Sequence, residues 1–214
     1  MKVKWLGHAS FLITGSDGTR IITDPYATDH RIKYGDIHEA AEIVTVSHGH
    51  FDHGNVAAVK GNPAVVKESG EAKGIRFRGI PTFHDDEQGS KRGPNMVFCF
   101  ELDGVKVCHL GDLGHPLGDD QAKAIGAVDV LLIPVGGTYT IDAAAATGVC
   151  QQLKSRIVIP MHYKTDRCPD FPVTGVDVFL KGKSGVKEMP GSDVEITRDN
   201  LPAEMQIIVL QPAL

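Results

Sequence analysis

The run His48-Gly49-His50-Phe51-Asp52-His53 places three imidazoles and one carboxylate within six residues. Neutral imidazole and carboxylate oxygen are the donors that zinc and similar divalent ions prefer, so this run reads as a metal-binding loop rather than a solvated turn. Alternate residues of an extended segment point the same way. His48 and His50 can therefore grip one ion, while Asp52 and His53, past the bend, reach a second. Two ions about 3.5–4 Å apart need more donors than these four supply. His84, Asp112 and His162, each placed where an apolar segment ends, are the candidates for the remainder.

Those donors need elements to position them. Segments rich in β-branched residues recur along the chain, each closed by a polar or glycine-containing turn, which is the signature of strands. Residues 2–6, 10–14 and 20–23 read as strands, with a hairpin turn at 15–18, and Asp24-Pro25 stops the third. Residues 42–46 form a buried strand that delivers the histidine run, followed by a short helix at 56–60. The arrangement repeats: 75–83 runs into His84, 105–110 into Asp112, and 156–159 towards His162. Residues 130–135 are another buried strand, Asp142 caps an alanine-rich helix reaching 153, and a helix at 173–181 precedes short strands. The polar stretch 26–41 is too long to be filler and is expected to form one wall of a site.

Interspersed strands and helices suit either an open doubly wound sheet or two packed sheets flanked by helices; the early hairpins and many short strands favour the second, a four-layer αββα sandwich. With 214 residues and a hydrophobic fraction of 42%, one domain spanning residues 1–214 has material for a sizeable core. The net charge of −5 carries no basic surplus, so neither nucleic acid nor an anionic membrane is an expected partner. The opening MKVKWLGHASFLI holds charges where a secretory leader needs an apolar run, and no stretch is long and apolar enough to span a bilayer, which points to the cytoplasm. Cys99, Cys108, Cys150 and Cys168 lack CxxC spacing and are expected as reduced thiols.

The histidine run, a lone later His84, then His109-Leu110-Gly111-Asp112 and Pro160-Met161-His162-Tyr163 together resemble the metallo-β-lactamase superfamily over nearly the whole chain. The opening GHASF, the TDP at 23–25 and the VGGTYT at 135–140 are similar to a branch of small zinc-dependent hydrolases related to the phosphorylated-ascorbate lactonases. The resemblance implies that His48, His50 and His84 hold a first metal, that Asp52, His53 and His162 hold a second, and that Asp112 bridges both. It also implies that His8 and Asp24 lie at the site floor, and that Asp52 orients a nucleophile or accepts its proton. The charged segment DDEQGSKRGPN after His84 departs from the branch, whose corresponding turn is rich in serine.

The expected activity is hydrolysis of an ester, lactone, amide or phosphodiester bond by a metal-bound hydroxide, with zinc ahead of manganese and iron as the ion. Asp52 and Asp112 carry the catalytic expectation. The substrate is a small molecule, and Lys91 and Arg92 offer contacts to an anionic one; Tyr139 and Lys164 are further candidates to touch it. Two rival readings are an iron-dependent redox enzyme on the same fold and a non-enzymatic module that senses a metal or metabolite. His50 stands where the di-iron members of the resembled superfamily carry glutamate, which favours hydrolysis. His109 reads as a satisfied core histidine and His30 and His38 as solvated, while the role of His115 stays open.

Overall fold

Fourteen strands form two sheets in a computed structural model that describes residues 1–214. In chain order, β1 (Lys2–Gly7), β2 (Ser10–Thr14), β3 (Arg20–Thr23), β4 (Ile43–Thr45) and β5 (Ala64–Val66) come first. β6 (Gly70–Ala72), β7 (Ile75–Phe83), β8 (Pro94–Leu102), β9 (Val105–His109), β10 (Val130–Pro134) and β11 (Ile157–Met161) follow. β12 (Val186–Glu188), β13 (Asp193–Glu195) and β14 (Gln206–Val209) end the series. The first sheet is ordered β13-β1-β2-β3-β4-β5 and the second β12-β14-β11-β10-β9-β8-β7-β6.

Both sheets are mixed. β1, β2 and β3 pair antiparallel, whereas β3, β4 and β5 are parallel. In the second sheet β6 to β9 are antiparallel, and β9, β10, β11, β14 and β12 are parallel. Parallel neighbours need crossovers. Helices α1 (Asp119–Ile125) and α2 (Ala143–Leu153) supply two of them, and the stretch 26–41 supplies a third. Asp142 accepts a hydrogen bond from the Ala145 amide at 2.8 Å, the expected cap of α2.

Side-chain alternation decides what each face buries. Val3, Trp5, Phe11, Ile13, Ile21 and Ile43 point between the sheets into a core of 46 buried residues. Leu6, Ile22, Val44 and Val46 belong to a second cluster of 13 with Tyr26, Ile32, Tyr34 and Ile37. The stretch 26–41 therefore covers the outer face of the first sheet with its own apolar side chains. On the other side, α1 packs on β7, α2 on β10, and the short α3 (Val176–Leu180) on α2. The result is the expected α/β sandwich of two sheets with helices outside. Trp5 ties core to site: its ring lies 5.2 Å from that of Tyr163, and its Nε1–H donates to the His8 carbonyl at 3.0 Å. Truncating a side chain of this size at full burial costs about 3–5 kcal/mol.

Two expected helices are shorter than the sequence suggests. Residues 56–60 form a single 3-10 turn, Val56–Ala58, hemmed in by Gly54 before it and Gly61 after it. The helix expected at 173–181 begins only at Val176, because Thr174 N donates to Gly136 O at 2.8 Å and Gly175 bridges to Lys164. No helix is long and apolar enough to cross a membrane. All four cysteines are buried and free.

Candidate metal centre

Six segments leaving strand ends build one polar cluster in an otherwise apolar interior. His8 follows β1, Asp24 follows β3, His84 follows β7 and His162 follows β11 directly, while short loops carry His48 beyond β4 and Asp112 beyond β9. Three of these residues stop their strands in the left-handed region: φ is 52° at His8, 39° at Asp24 and 53° at His162. Such backbone is sparsely populated for side-chain-bearing residues, and it re-aims each side chain abruptly out of the strand direction. Gly111 (φ 55°) makes the corresponding turn before Asp112, against the Ser47 and Asn95 side chains.

The donor atoms fall into two groups. Those of His48, His50 and His84 lie within 4.8 Å of one another, and so do those of His8, Asp52, His53 and His162. Asp112 sits between the groups. Its Oδ2 is 3.1 Å from His84 Nε2, 3.1 Å from His53 Nε2, 3.4 Å from His162 Nε2 and 4.0 Å from His48 Nε2. Its Oδ1 is buried with no hydrogen-bond partner.

A second layer of contacts aims this cluster. Asp24 accepts from His53 Nδ1 at 2.9 Å, from Ser47 N at 2.8 Å, and from the Ser47 hydroxyl, whose oxygen is 3.0 Å from His48 Nδ1. Carboxylates that occupy one imidazole nitrogen leave the other free for a metal. Asn95 accepts from Asp112 N at 2.9 Å and donates to Thr82 Oγ1 and the Leu110 carbonyl, fixing the loop that carries Asp112. His109 Nδ1 accepts from Gly111 N at 3.1 Å, which leaves its Nε2–H to donate to the Ala9 carbonyl at 2.8 Å. It is a satisfied core histidine that also braces the Gly111 turn.

The electrostatics favour a cation at the centre. Burial, with repulsion from neighbouring imidazoles, lowers the pKa of His8 to about 4 and of His48 to about 3, keeping both in the neutral form that coordinates metals. Burial opposes ionisation of Asp112, yet His162 and His53 outweigh it and hold the carboxyl well below its ordinary range. Burial likewise opposes charging His53, but Asp112 and Asp24 on its two nitrogens raise its pKa well above 6.5. The bare Oδ1 of Asp112, a carboxylate set among imidazole nitrogens, is a buried ligand atom without the partner that a divalent ion would supply. The donor set therefore fits divalent metal.

All seven residues singled out for metal binding meet here, and His8 and Asp24 join them: His8 Nε2 is 3.2 Å from Asp52 Oδ2. Others lie elsewhere. His115 Nε2 accepts from Phe83 N at 3.2 Å, His30 and His38 are exposed, and Lys164 lines a different cavity. Lys91 turns away to Glu87 at 2.7 Å and Asp86 at 3.7 Å, so of the expected pair only Arg92 reaches the site. Arg92 and Tyr139 line a cavity of about 300 Å³ over the cluster, together with Arg31, Phe51 and Phe171. That volume is at the small end for a ligand pocket. Arg31, Ser47 and Asn95 were not among the expected residues; Arg31 had a signal in its place within the long stretch 26–41, whereas Ser47 and Asn95 had none.

The β-lactamase superfamily domain model matches residues 2–162. A relative from Pelotomaculum thermopropionicum, named a UPF0173 metal-dependent hydrolase, is 32% identical across 92% of this chain and 96% of its own length. One from Archaeoglobus fulgidus with the same name is 30% identical across 77% and 84%. Among solved structures, a Thermotoga maritima protein described as a candidate zinc-dependent hydrolase of the metallo-β-lactamase superfamily superposes with a TM-score of 0.79 at 39% identity, covering 98% of this chain and 97% of that one. The chain belongs to the metallo-β-lactamase superfamily and, within it, to the UPF0173 family of metal-dependent hydrolases.

Proposed function

We propose that this protein hydrolyses an ester, lactone, amide or phosphodiester bond of a small molecule with the help of two divalent ions, zinc ahead of manganese and iron, within a single domain spanning residues 1–214. The observation that carries this reading is Asp112 Oδ2 set among the Nε2 atoms of His53, His84 and His162 beneath an open pocket. His48, His50 and His84 would hold one ion and Asp52, His53 and His162 the other, with Asp112 between them and His8 at hand beside the second. When bound, such ions acidify water towards neutrality and polarise the oxygen under attack.

The chain's own groups do the rest. Asp24 holds His53 through Nδ1 so that its Nε2 faces the centre, and Ser47 does the same for His48 through Nδ1. Asp52 holds one oxygen against His8, leaving its carboxylate placed to orient the attacking water or keep its proton. Tyr139 brings a phenol into the pocket as a donor to a developing oxyanion. A cytoplasmic setting belongs to the same reading and agrees with four buried free thiols.

The test is metal content of reconstituted protein measured beside hydrolysis of a panel of esters, lactones and phosphodiesters, before and after chelation. Up to two ions per chain and chelation-sensitive turnover are expected. Well under one ion per chain would defeat the proposal, and metal-loaded protein that turns over nothing in the panel would point to a sensing module instead.

A further inference from the structure

The cavity above the metal cluster carries a guanidinium that the hydrolytic machinery does not use. Arg92 donates to the Thr138 carbonyl at 3.2 Å and lies 5.5 Å from the Tyr139 ring centroid, and it pairs with no carboxylate. Arg31, the other cation of the cavity, is already engaged by Asp29 at 3.2 Å and rests 6.0 Å from the Phe51 ring centroid. Arg92 thus presents unneutralised charge in a ligand-sized cavity.

Its placement is built rather than incidental. Asp85, buried and next to His84, gathers the loop around its carboxylate: Oδ1 accepts from the Glu87 and Gly89 amides at 2.9 and 2.8 Å, and Oδ2 from the Lys91 and Arg92 amides at 3.0 and 2.7 Å. The charged segment that departs from the related branch is therefore a wound loop with Arg92 at its inner end. The Tyr139 ring under the guanidinium stacks in turn on Phe171 at 5.6 Å, which extends an apolar wall back to His162. A planar guanidinium held on an aromatic face and lacking a counter-charge matches the two oxygens of a carboxylate or phosphate.

Resting on the hydrolase reading above, we propose that the substrate carries an oxyanion group, carboxylate or phosphate, remote from the bond that is cleaved. Arg92 binds that group, Arg31 adds long-range attraction, and the Tyr139–Phe171 wall takes a flat apolar portion between the anion and the scissile bond.

The test uses ligands with no bond the centre could cleave. Calorimetry on metal-loaded and metal-free protein compares benzylphosphonate, phenylacetate and neutral benzyl alcohol, in wild type, Arg92→Gln, Arg31→Gln and Lys91→Ala. Benzylphosphonate or phenylacetate is expected to bind at least about tenfold tighter than the alcohol, and the tighter of the two identifies the oxyanion. Arg92→Gln should weaken that binding by about tenfold or more with or without metal, Arg31→Gln by less, and Lys91→Ala not at all. Anion affinity within twofold of wild type in a folded Arg92→Gln protein, or equal binding of the alcohol, would overturn the proposal. Because no turnover enters, inactivity towards every ester would count against the hydrolase reading alone. Hydrolysis of neutral esters with Arg92-independent anion binding would count against this proposal alone.

Discussion

Asp24 Oδ2 lies 2.9 Å from His53 Nδ1, with both side chains fully excluded from solvent, so the orientation of the His53 ring is set from behind the metal cluster. The same carboxylate also takes the Ser47 amide and hydroxyl. One buried aspartate thereby fixes residues on both sides of the cluster. Asp24→Asn keeps the shape but can turn an N–H towards His53 and release its orientation. Metal affinity, measured by competition with a chelator, should fall about 10–100-fold. Asp24→Ala leaves buried donors bare and should in addition lower unfolding free energy by about 1–3 kcal/mol for each. Unchanged affinity in both variants would remove Asp24 from its positioning role.

Protons offer a second test. His53 has a raised pKa in the metal-free fold, so near pH 7 the protein holds a proton there that an incoming ion must displace. Zinc binding at pH 7, followed by calorimetry in buffers of different ionisation enthalpy, should release about one proton per chain, and fewer as the pH rises. The linked stability follows from the direction of each shift. A raised histidine pKa contributes stability that is complete below pH 6.5 and fades as pH climbs through the folded-state value; His8 and His48, lowered to about 4 and about 3, instead cost stability as pH falls below 6.5. The metal-free protein should therefore be most stable near neutrality and lose melting temperature on both sides, with zinc flattening the alkaline limb. A metal-free melting curve that rises steadily into alkali would contradict the His53 assignment.

Gly111 supplies a test of the scaffold. Its φ of 55° strains any side chain, and an added Cβ would meet Ser47 Cβ at 2.6 Å as well as the Asn95 side chain. Gly111→Ala should push the Asp112 loop off Asn95, lowering stability by about 1–3 kcal/mol and weakening metal binding together. Loss of stability with full metal affinity would show that Asp112 is positioned independently of this turn.

Most of the cluster was legible because its residues are chemically rare and sit where β-rich segments end. β2, β3 and β7 match the expected spans, and the Asp142 cap of α2 is where the sequence places it. β8 escaped notice although it is nine residues long and mostly buried: it opens on a proline, and its run Met96 to Phe100 has no alternation because both faces are covered. β5, β6 and α1 are too short to carry a period. Contacts such as Asn95 to Asp112 escaped for another reason, since only strand pairing across the sheet brings position 95 to position 112. Lys91 and Arg92 were indistinguishable as neighbours; the Asp85 knot turns one outward and the other in.

Asp112 bears the heaviest share of the proposed chemistry. It follows β9 through Leu110 and Gly111, its amide is held by Asn95, and its Oδ2 stands within 3.4 Å of three imidazole nitrogens drawn from both donor groups. A carboxylate has two oxygens and a negative charge, which suits it to lie between two dications; asparagine keeps the outline, loses the charge and turns an N–H2 towards one group. In Asp112→Asn the ion beside His53 and His162 should weaken first, since Asp112 and Asp52 are the carboxylates that group faces. Lost transition-state stabilisation appears in kcat/KM, and a fall of at least about a hundredfold is expected. The metal-free protein should lose melting temperature near neutral pH, because His53 and His162 hold this carboxylate ionised and its removal leaves the buried His53 without that partner. The proton count on zinc binding at pH 7 should drop in the same variant, linking it to the calorimetry above. Wild-type kcat/KM with two ions bound in Asp112→Asn would remove Asp112 from the space between the metals and leave Asp52 as the carboxylate to test there.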